Sequence, residues 1–143
     1  MADILKISDA TALALHSMTL LATESDGQST TAEIATMFDV SRHHLAKVHQ
    51  RLTKAGLIES RRGPSGGVGL AKDPSTITLL EIYEVMEGPM ICNPCLFGKE
   101  VCPRPQCVLG VLLPGLARQV RDYFNETSLA QLASESNWGK QTA

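Results

Sequence analysis

TTAEIATMFDVSRHHLAKVHQRLTKAG, residues 30–56, is the stretch that decides the fold. It opens on Thr30 with Glu33 three positions later. This is a capping-box pair, in which each side chain satisfies a backbone donor that the first helical turn leaves without a partner. Ile34, Met37 and Phe38 then form an apolar stripe on a short helix. Asp39 and Val40 make a turn in which Val40 is the one buried apolar residue. Ser41 is a second N-cap, Leu45, Val48 and Leu52 recur at helical spacing, and Gly56 supplies the stop. A short helix, a tight turn and a longer basic helix together predict a helix-turn-helix.

Beyond Gly56 the period changes. Residues 57–61 and 68–71 read as two short strands, separated by RGPSGG at 62–67, whose turn-formers predict a hairpin. A hairpin directly after such a helix is the wing of a winged helix. Upstream, Ser8 caps a first helix carrying Ala12, Leu13, Leu15, Met18, Leu20 and Leu21, which ends before Asp26 and Gly27. Downstream, Thr78 and Glu81 form another capping box, opening a helix through Ile82, Val85 and Met86 that stops at Gly88. Leu109, Leu112, Leu116, Val120, Tyr123 and Phe124 outline a long C-terminal helix, with Pro114 at a kink or in its first turn. Thr127 is placed to cap a short last helix through Leu129 and Leu132.

The expected fold is mainly α with a small β-hairpin: a winged helix-turn-helix plus a long C-terminal dimerisation helix. Its divisions are a DNA-binding domain at 1–88, a cysteine-rich sensor loop at 89–107, the dimerisation and short terminal helices at 108–134, and a disordered tail at 135–143. A chain of 143 residues supports one domain of this kind and not two. Apolar residues are 43% and charged residues 20%, an ordinary soluble composition. The first eight residues lack the basic region and apolar run of a secretory signal. The longest apolar stretch, 108–117, falls far short of the roughly 20 residues that span a bilayer. The expected location is the cytoplasm, with no membrane partner.

Net charge is only −2, but it is unevenly placed. Residues 41–72 hold seven bases against the single acid Glu59, a local +6, which leaves −8 on the rest of the chain. A localised basic face on an acidic body is the footprint of a surface that meets phosphate on one side only. A helix fits the major groove of double-stranded DNA. The candidate contacts are Ser41, Arg42, His43, His44, Lys47 and Gln50 on that helix, with Arg61 and Arg62 on the wing. One such module makes few contacts, and two-fold symmetry doubles them. The surplus apolar residues of the C-terminal helix are the expected homodimer seam.

Every cysteine lies within sixteen positions: Cys92, Cys95, Cys102 and Cys107. Disulfides are disfavoured in a reducing compartment, and thiolates gathered in a Pro- and Gly-rich loop suit a soft metal centre. The spacing lacks the paired CxxC knuckles of a zinc ribbon, which favours an iron–sulfur cluster, of the [2Fe–2S] or [4Fe–4S] type, over zinc, a thiol or disulfide switch, or no cofactor. An enzyme reading, a thiol oxidoreductase at Cys92 and Cys95, would need a helix N-terminus beneath the pair in a thioredoxin-like setting. Asn93 and Pro94 inside a loop do not supply one.

Several stretches together resemble the Rrf family of bacterial winged helix-turn-helix transcriptional regulators, the group of the IscR and NsrR types. They are VSRHHLAK at 40–47, LTKAGLI at 52–58, RGPSGG at 62–67, TLLEI at 78–82, and the cysteine loop before a long helix. KAGLIESRRGPSGG at 54–67 is the most specific, and the likeness covers nearly the whole chain. The resemblance implies a homodimeric regulator, a repressor in the usual case, with a cluster held by three loop cysteines per subunit. Oxygen, nitric oxide or iron shortage would act on that cluster and so change promoter affinity. Two positions depart from the pattern: Ala12 stands where nitric-oxide sensors of the family carry an aspartate ligand, and no histidine follows Cys107 as in the IscR type. An additional loop cysteine is present instead. Cys102 and Cys107 align most securely, and either Cys92 or Cys95 matches the family's first ligand.

Overall fold

Ser8 has extended backbone, and its hydroxyl accepts from the Thr11 amide, so the chain enters helix at the next residue. The computed structural model describes residues 5–24, 26–63, 66–91, 95–99, 101–103 and 106–135. The candidate ligand Cys92, Asn93 and Pro94, Pro64 and Ser65 of the wing loop, and the tail from 136 onward lie outside the described residues. Helix α1 spans Asp9–Thr23 and β1 Gln28–Ser29; α2 spans Thr31–Met37 and α3 Arg42–Lys54. Strands β2 (Ile58–Arg61) and β3 (Gly67–Leu70) follow, then a 3-10 turn at Pro74–Thr76, α4 (Leu79–Glu87), α5 (Leu112–Glu126) and α6 (Leu129–Glu135).

The local signals set the helix starts. Thr30 and Glu33 form the reciprocal capping box, with Glu33 N donating to Thr30 Oγ1 at 3.1 Å and Thr30 N to Glu33 Oε2 at 2.9 Å. At α4 only the Thr78 half forms, accepting from Glu81 N, because the Glu81 carboxylate turns to Lys72 Nζ at 2.8 Å. The helix-turn-helix corner places Asp39 at φ 52°, a left-handed conformation that aspartate tolerates, and Val40 behind it is half-buried rather than fully enclosed. The hairpin is present, and β1 adds a third strand to give the antiparallel order β1-β3-β2. Two residues carry too short a pattern to be read as a strand. The C-terminal helix starts at Leu112, later than the Leu109 of its apolar pattern, and Pro114 falls in its first turn, where a missing N–H costs nothing. The last helix is capped by Ser128, whose hydroxyl accepts from Gln131 N, while Thr127 closes α5 instead.

Helix α1 lies at the centre, packed against α3, α4, α6 and β3. Met18, Leu21, Ile34, Leu45, Leu52, Ile58, Ile77, Ile82 and Leu129 fill the main core around it. Helix α6 therefore belongs to the core of the winged unit by packing, tied there by Leu129 N to Ile77 O at 2.9 Å. A smaller cluster of Leu79, Tyr83, Met90 and Phe124 fastens α5 to α4, the Tyr83 and Phe124 rings meeting edge-on at 5.6 Å. Among the described residues, no helix is long and apolar enough to cross a membrane.

At the end of α4, the Glu87 carboxylate accepts from Ser8 N at 2.9 Å and from the Thr11 hydroxyl. Hydrogen bonds from Ser8 and Thr11 lower its pKa from 4.5 to about 2. The unfolded chain then binds more protons between those values, so this contribution is complete above about pH 4.5 and disappears as pH falls towards 2. Water screens the site, which reduces the expected contribution to roughly 1 kcal/mol. Urea denaturation should show Glu87→Gln less stable than wild type by about that amount near neutral pH, with the gap closing near pH 2.

Candidate nucleic-acid interface and cysteine loop

Ser41 starts α3 by accepting from His44 N at 2.9 Å, which commits its hydroxyl to the cap. Leu45, Val48, His49 and Leu52 turn inward, and Arg42, His43, His44, Lys47 and Gln50 are exposed. Burying one face at helical spacing leaves these five on the other, which is the arrangement a groove-reading helix needs. His44 also lines a cavity of about 390 Å³ with Asp9, Ala12, His16 and Phe38. Asp9 therefore faces the helix-turn-helix corner and does not line the cavity of Cys95, Cys102 and Cys107.

The wing arginines diverge. Arg62 is exposed at the start of the hairpin loop. Arg61 folds back over the sheet, donating to Leu70 O at 3.2 Å and Asp26 O at 3.4 Å. Arg51, one of the seven bases of the basic segment, reaches across to α4: its guanidinium donates to Met86 O at 2.8 Å and Val85 O at 3.2 Å at the end of that helix. Lys54 and Ser60 were not singled out in the sequence. They line a second cavity of about 390 Å³ between α2, α3 and the wing, with Thr31, His49, Gln50, Thr53 and Val68. Lys54 stands on the same helix as Lys47 and Gln50, a helical-spacing signal that the basic run does contain.

Three of the four cysteines come together. Cys95, Cys102 and Cys107 line one cavity of about 280 Å³ with Leu96, Phe97, Val108, Gly110 and Pro114. Cys95 Sγ contacts Lys99 O at 3.7 Å, and Cys102 and Cys107 are exposed. Among the described residues, no group of three His, Cys, Asp or Glu side chains is close enough to share one metal ion. The chain enters this loop through buried Met90, whose amide donates to Glu84 Oε1 at 3.2 Å and whose carbonyl accepts from Arg121 Nη1 at 2.8 Å.

His49 is 4% exposed, with Nδ1 3.2 Å from Thr31 Oγ1 and no hydrogen-bond partner for Nε2 among the described residues. Burial disfavours the imidazolium and pushes its pKa below 6.5. The unfolded chain thus takes up this proton first, and stability declines as pH falls below about 6.5. A His49→Phe variant, followed by thermal unfolding from neutral to about pH 5.5, should lose that part of the decline. An unchanged slope would place the sensitivity elsewhere.

Over residues 7–135 the chain matches the family described as "Rrf2: Iron-dependent Transcriptional regulator". It is 32% identical over 128 residues to an HTH-type transcriptional regulator of Aquifex aeolicus, covering 87% of this chain and 89% of that one. It is 30% identical over 126 residues to the HTH-type transcriptional regulator IscR of Yersinia enterocolitica, covering 87% and 72%. Among solved structures it resembles CymR, the global cysteine regulator of B. subtilis, at 30% identity and TM-score 0.77, covering 93% and 99%. The IscR structure from T. potens shares the fold at 24% identity and TM-score 0.71, covering 97% and 93%. Its relatives are DNA-binding regulators and not enzymes. With a capped, outward-facing basic helix, a glycine-rich wing and a cysteine loop in the family's order, this chain belongs to the Rrf2 family of transcriptional regulators.

Proposed function

We propose that the protein represses transcription as a homodimer on double-stranded DNA in the cytoplasm, and that an iron–sulfur cluster at the cysteine loop sets its affinity. Ser41, Arg42, His43, His44, Lys47 and Gln50 form or border the reading edge, and Arg62 extends it. One observation carries the sensing half of this reading: Cys95, Cys102 and Cys107 line a single, mostly apolar cavity. Thiolate donors in a cavity lined by Leu96, Phe97 and Val108 fit a cluster of the [2Fe–2S] or [4Fe–4S] type. Cys102 and Cys107 would hold it with Cys95 or Cys92, and a fourth thiolate would complete the set within one subunit. Such a group supplies a centre that oxygen, nitric oxide or iron shortage can alter.

The protein's own residues carry the response. The loop leaves from Met90, which Glu84 and Arg121 hold between α4 and α5. A change in the loop biases the angle of α5 to α4, and Arg51 passes the position of α4 to the recognition helix. Affinity shifts only by the difference in DNA binding between the two arrangements. On α5, Leu112, Leu116 and Tyr123 are exposed at helical spacing, and Val111 before it is 85% exposed. That apolar stripe fits the seam with a second copy.

A second reading places a thiol switch on the same residues. The exposure of Cys102 and Cys107 favours it, as does the likeness to CymR of Staphylococcus aureus, known also in an oxidized form, at 28% identity. Anaerobic purification with iron, sulfide and zinc analysis separates the two. The cluster reading expects a coloured protein with iron and sulfide that Cys102→Ala loses, together with a shift in DNA affinity. Colourless wild type without iron would sink it, and zinc alone would replace it with a structural site. For the dimer, Leu112→Asp with Leu116→Asp should halve the mass measured by sedimentation and leave the helical content unchanged.

A further inference from the structure

Arg61 ends β2 opposite Gly67, and Glu59, two residues earlier, lies opposite Gly69. Side chains two apart on a strand share a face, so two glycines leave the backbone of β3 bare where Glu59 and Arg61 look across. The guanidinium occupies that space: a Cβ on Gly69 would stand 2.7 Å from both its Cζ and its Nε. From there Nη2 donates to Leu70 O at 3.2 Å, Nη1 to Asp26 O at 3.4 Å, and Nε to the Glu59 carboxylate at 3.4 Å. One planar group thus reaches its own strand, the end of β3, and the turn that feeds β1. Each bond is long and individually weak. Their value lies in tying the Asp26 turn to the β2–β3 hairpin, since β1 is only two residues long and meets β3 at Gln28 and Ser29 alone.

The neighbouring Glu59 carboxylate also offsets the charge of Arg61 and would repel a phosphate approaching it. Arg62, the next residue, stands exposed on the loop. We propose that Arg61 is a positioning residue for DNA binding. It braces the sheet against the Asp26 turn and so fixes the angle at which Arg62 and the hairpin loop meet DNA, without touching DNA itself. This rests on the reading that Arg62 lies at the DNA interface.

A duplex selected from random-sequence DNA by the wild-type chain serves as probe, read by fluorescence anisotropy. A brace needs the fork of the guanidinium, so Arg61→Lys and Arg61→Gln should both weaken binding by about five- to tenfold. A phosphate contact needs only the charge, which Arg61→Lys keeps. Because the brace acts through Arg62, Arg61→Gln placed on Arg62→Gln should add less than about twofold. Thermal unfolding controls for lost folding, and the Gln28 and Ser29 amides should exchange hydrogen faster in both Arg61 variants. Wild-type binding by Arg61→Lys, multiplied losses in the double variant, or unchanged exchange at those amides would each overturn the proposal. Should Arg62→Gln alone leave binding intact, the interface reading fails, while the exchange measurement still decides the brace.

Discussion

The carboxyl end of α4 is the point to which the other elements are referenced. The last carbonyls of a helix have no donor of their own. Here Val85 O and Met86 O take the Arg51 guanidinium from the recognition helix. One residue on, Glu87 takes the Ser8 amide and the Thr11 hydroxyl at the start of α1. A carboxylate at a helix C-terminus is unfavourable against the dipole of its own helix, and the donors at the N-terminus of α1 offset that. Glu84 then takes the Met90 amide, and Arg121 of α5 takes the Met90 carbonyl. Four separate segments therefore share one short reference, and the cysteine loop departs from it. A movement at Met90 has a route to α3 through α4, whose Glu84 takes the Met90 amide and whose Val85 and Met86 carbonyls take Arg51.

This tethering matters because α3 has little stability alone. A helix of 13 residues is marginal in water, and this one carries four bases and three histidines. Leu45, Val48 and Leu52 anchor it against α1 and α2, and the Ser41 cap supplies one of the missing partners at its start. With the inner face holding the helix in place, the outer face is released from any structural duty. Arg42, His43, Lys47 and Gln50 can then be chosen for what they meet rather than for folding.

The parts of this architecture that were legible in the sequence are those encoded within a few residues. The caps at Ser8, Thr30, Ser41 and Thr78 each act over three positions, and all four accept the expected backbone donor. The cysteines are legible as a cluster because they are close in sequence. What escaped depends on partners far along the chain. Strand β1 exists because Gly67 lets it approach: a Cβ there would stand 2.4 Å from Ser29 O. Arg51 bonds carbonyls 34 and 35 residues away. His49 reads as one more basic-segment residue, yet it lies on the buried side of α3, one position past Val48. The capping role given to Thr127 moved by one residue because Thr127 is drawn into the close of α5 and its carbonyl takes Leu79 N.

The same distinction sharpens the electrostatic argument. Of the seven bases between Ser41 and Lys72, Arg51, Arg61 and Lys72 are engaged by Val85 and Met86, by Leu70 and Glu59, and by Glu81. A count of charges treats them as equals of Arg42, Lys47, Lys54 and Arg62, although Arg61 and Lys72 each stand beside a carboxylate. The excess of positive charge is real, and Arg61 and Lys72 add least to its outward field because Glu59 and Glu81 offset them. The acids that outweigh these bases lie elsewhere in the sequence, an uneven placement that favours approach of DNA to the basic segment. In the proposed arrangement, this charge placement would orient DNA before any base is read.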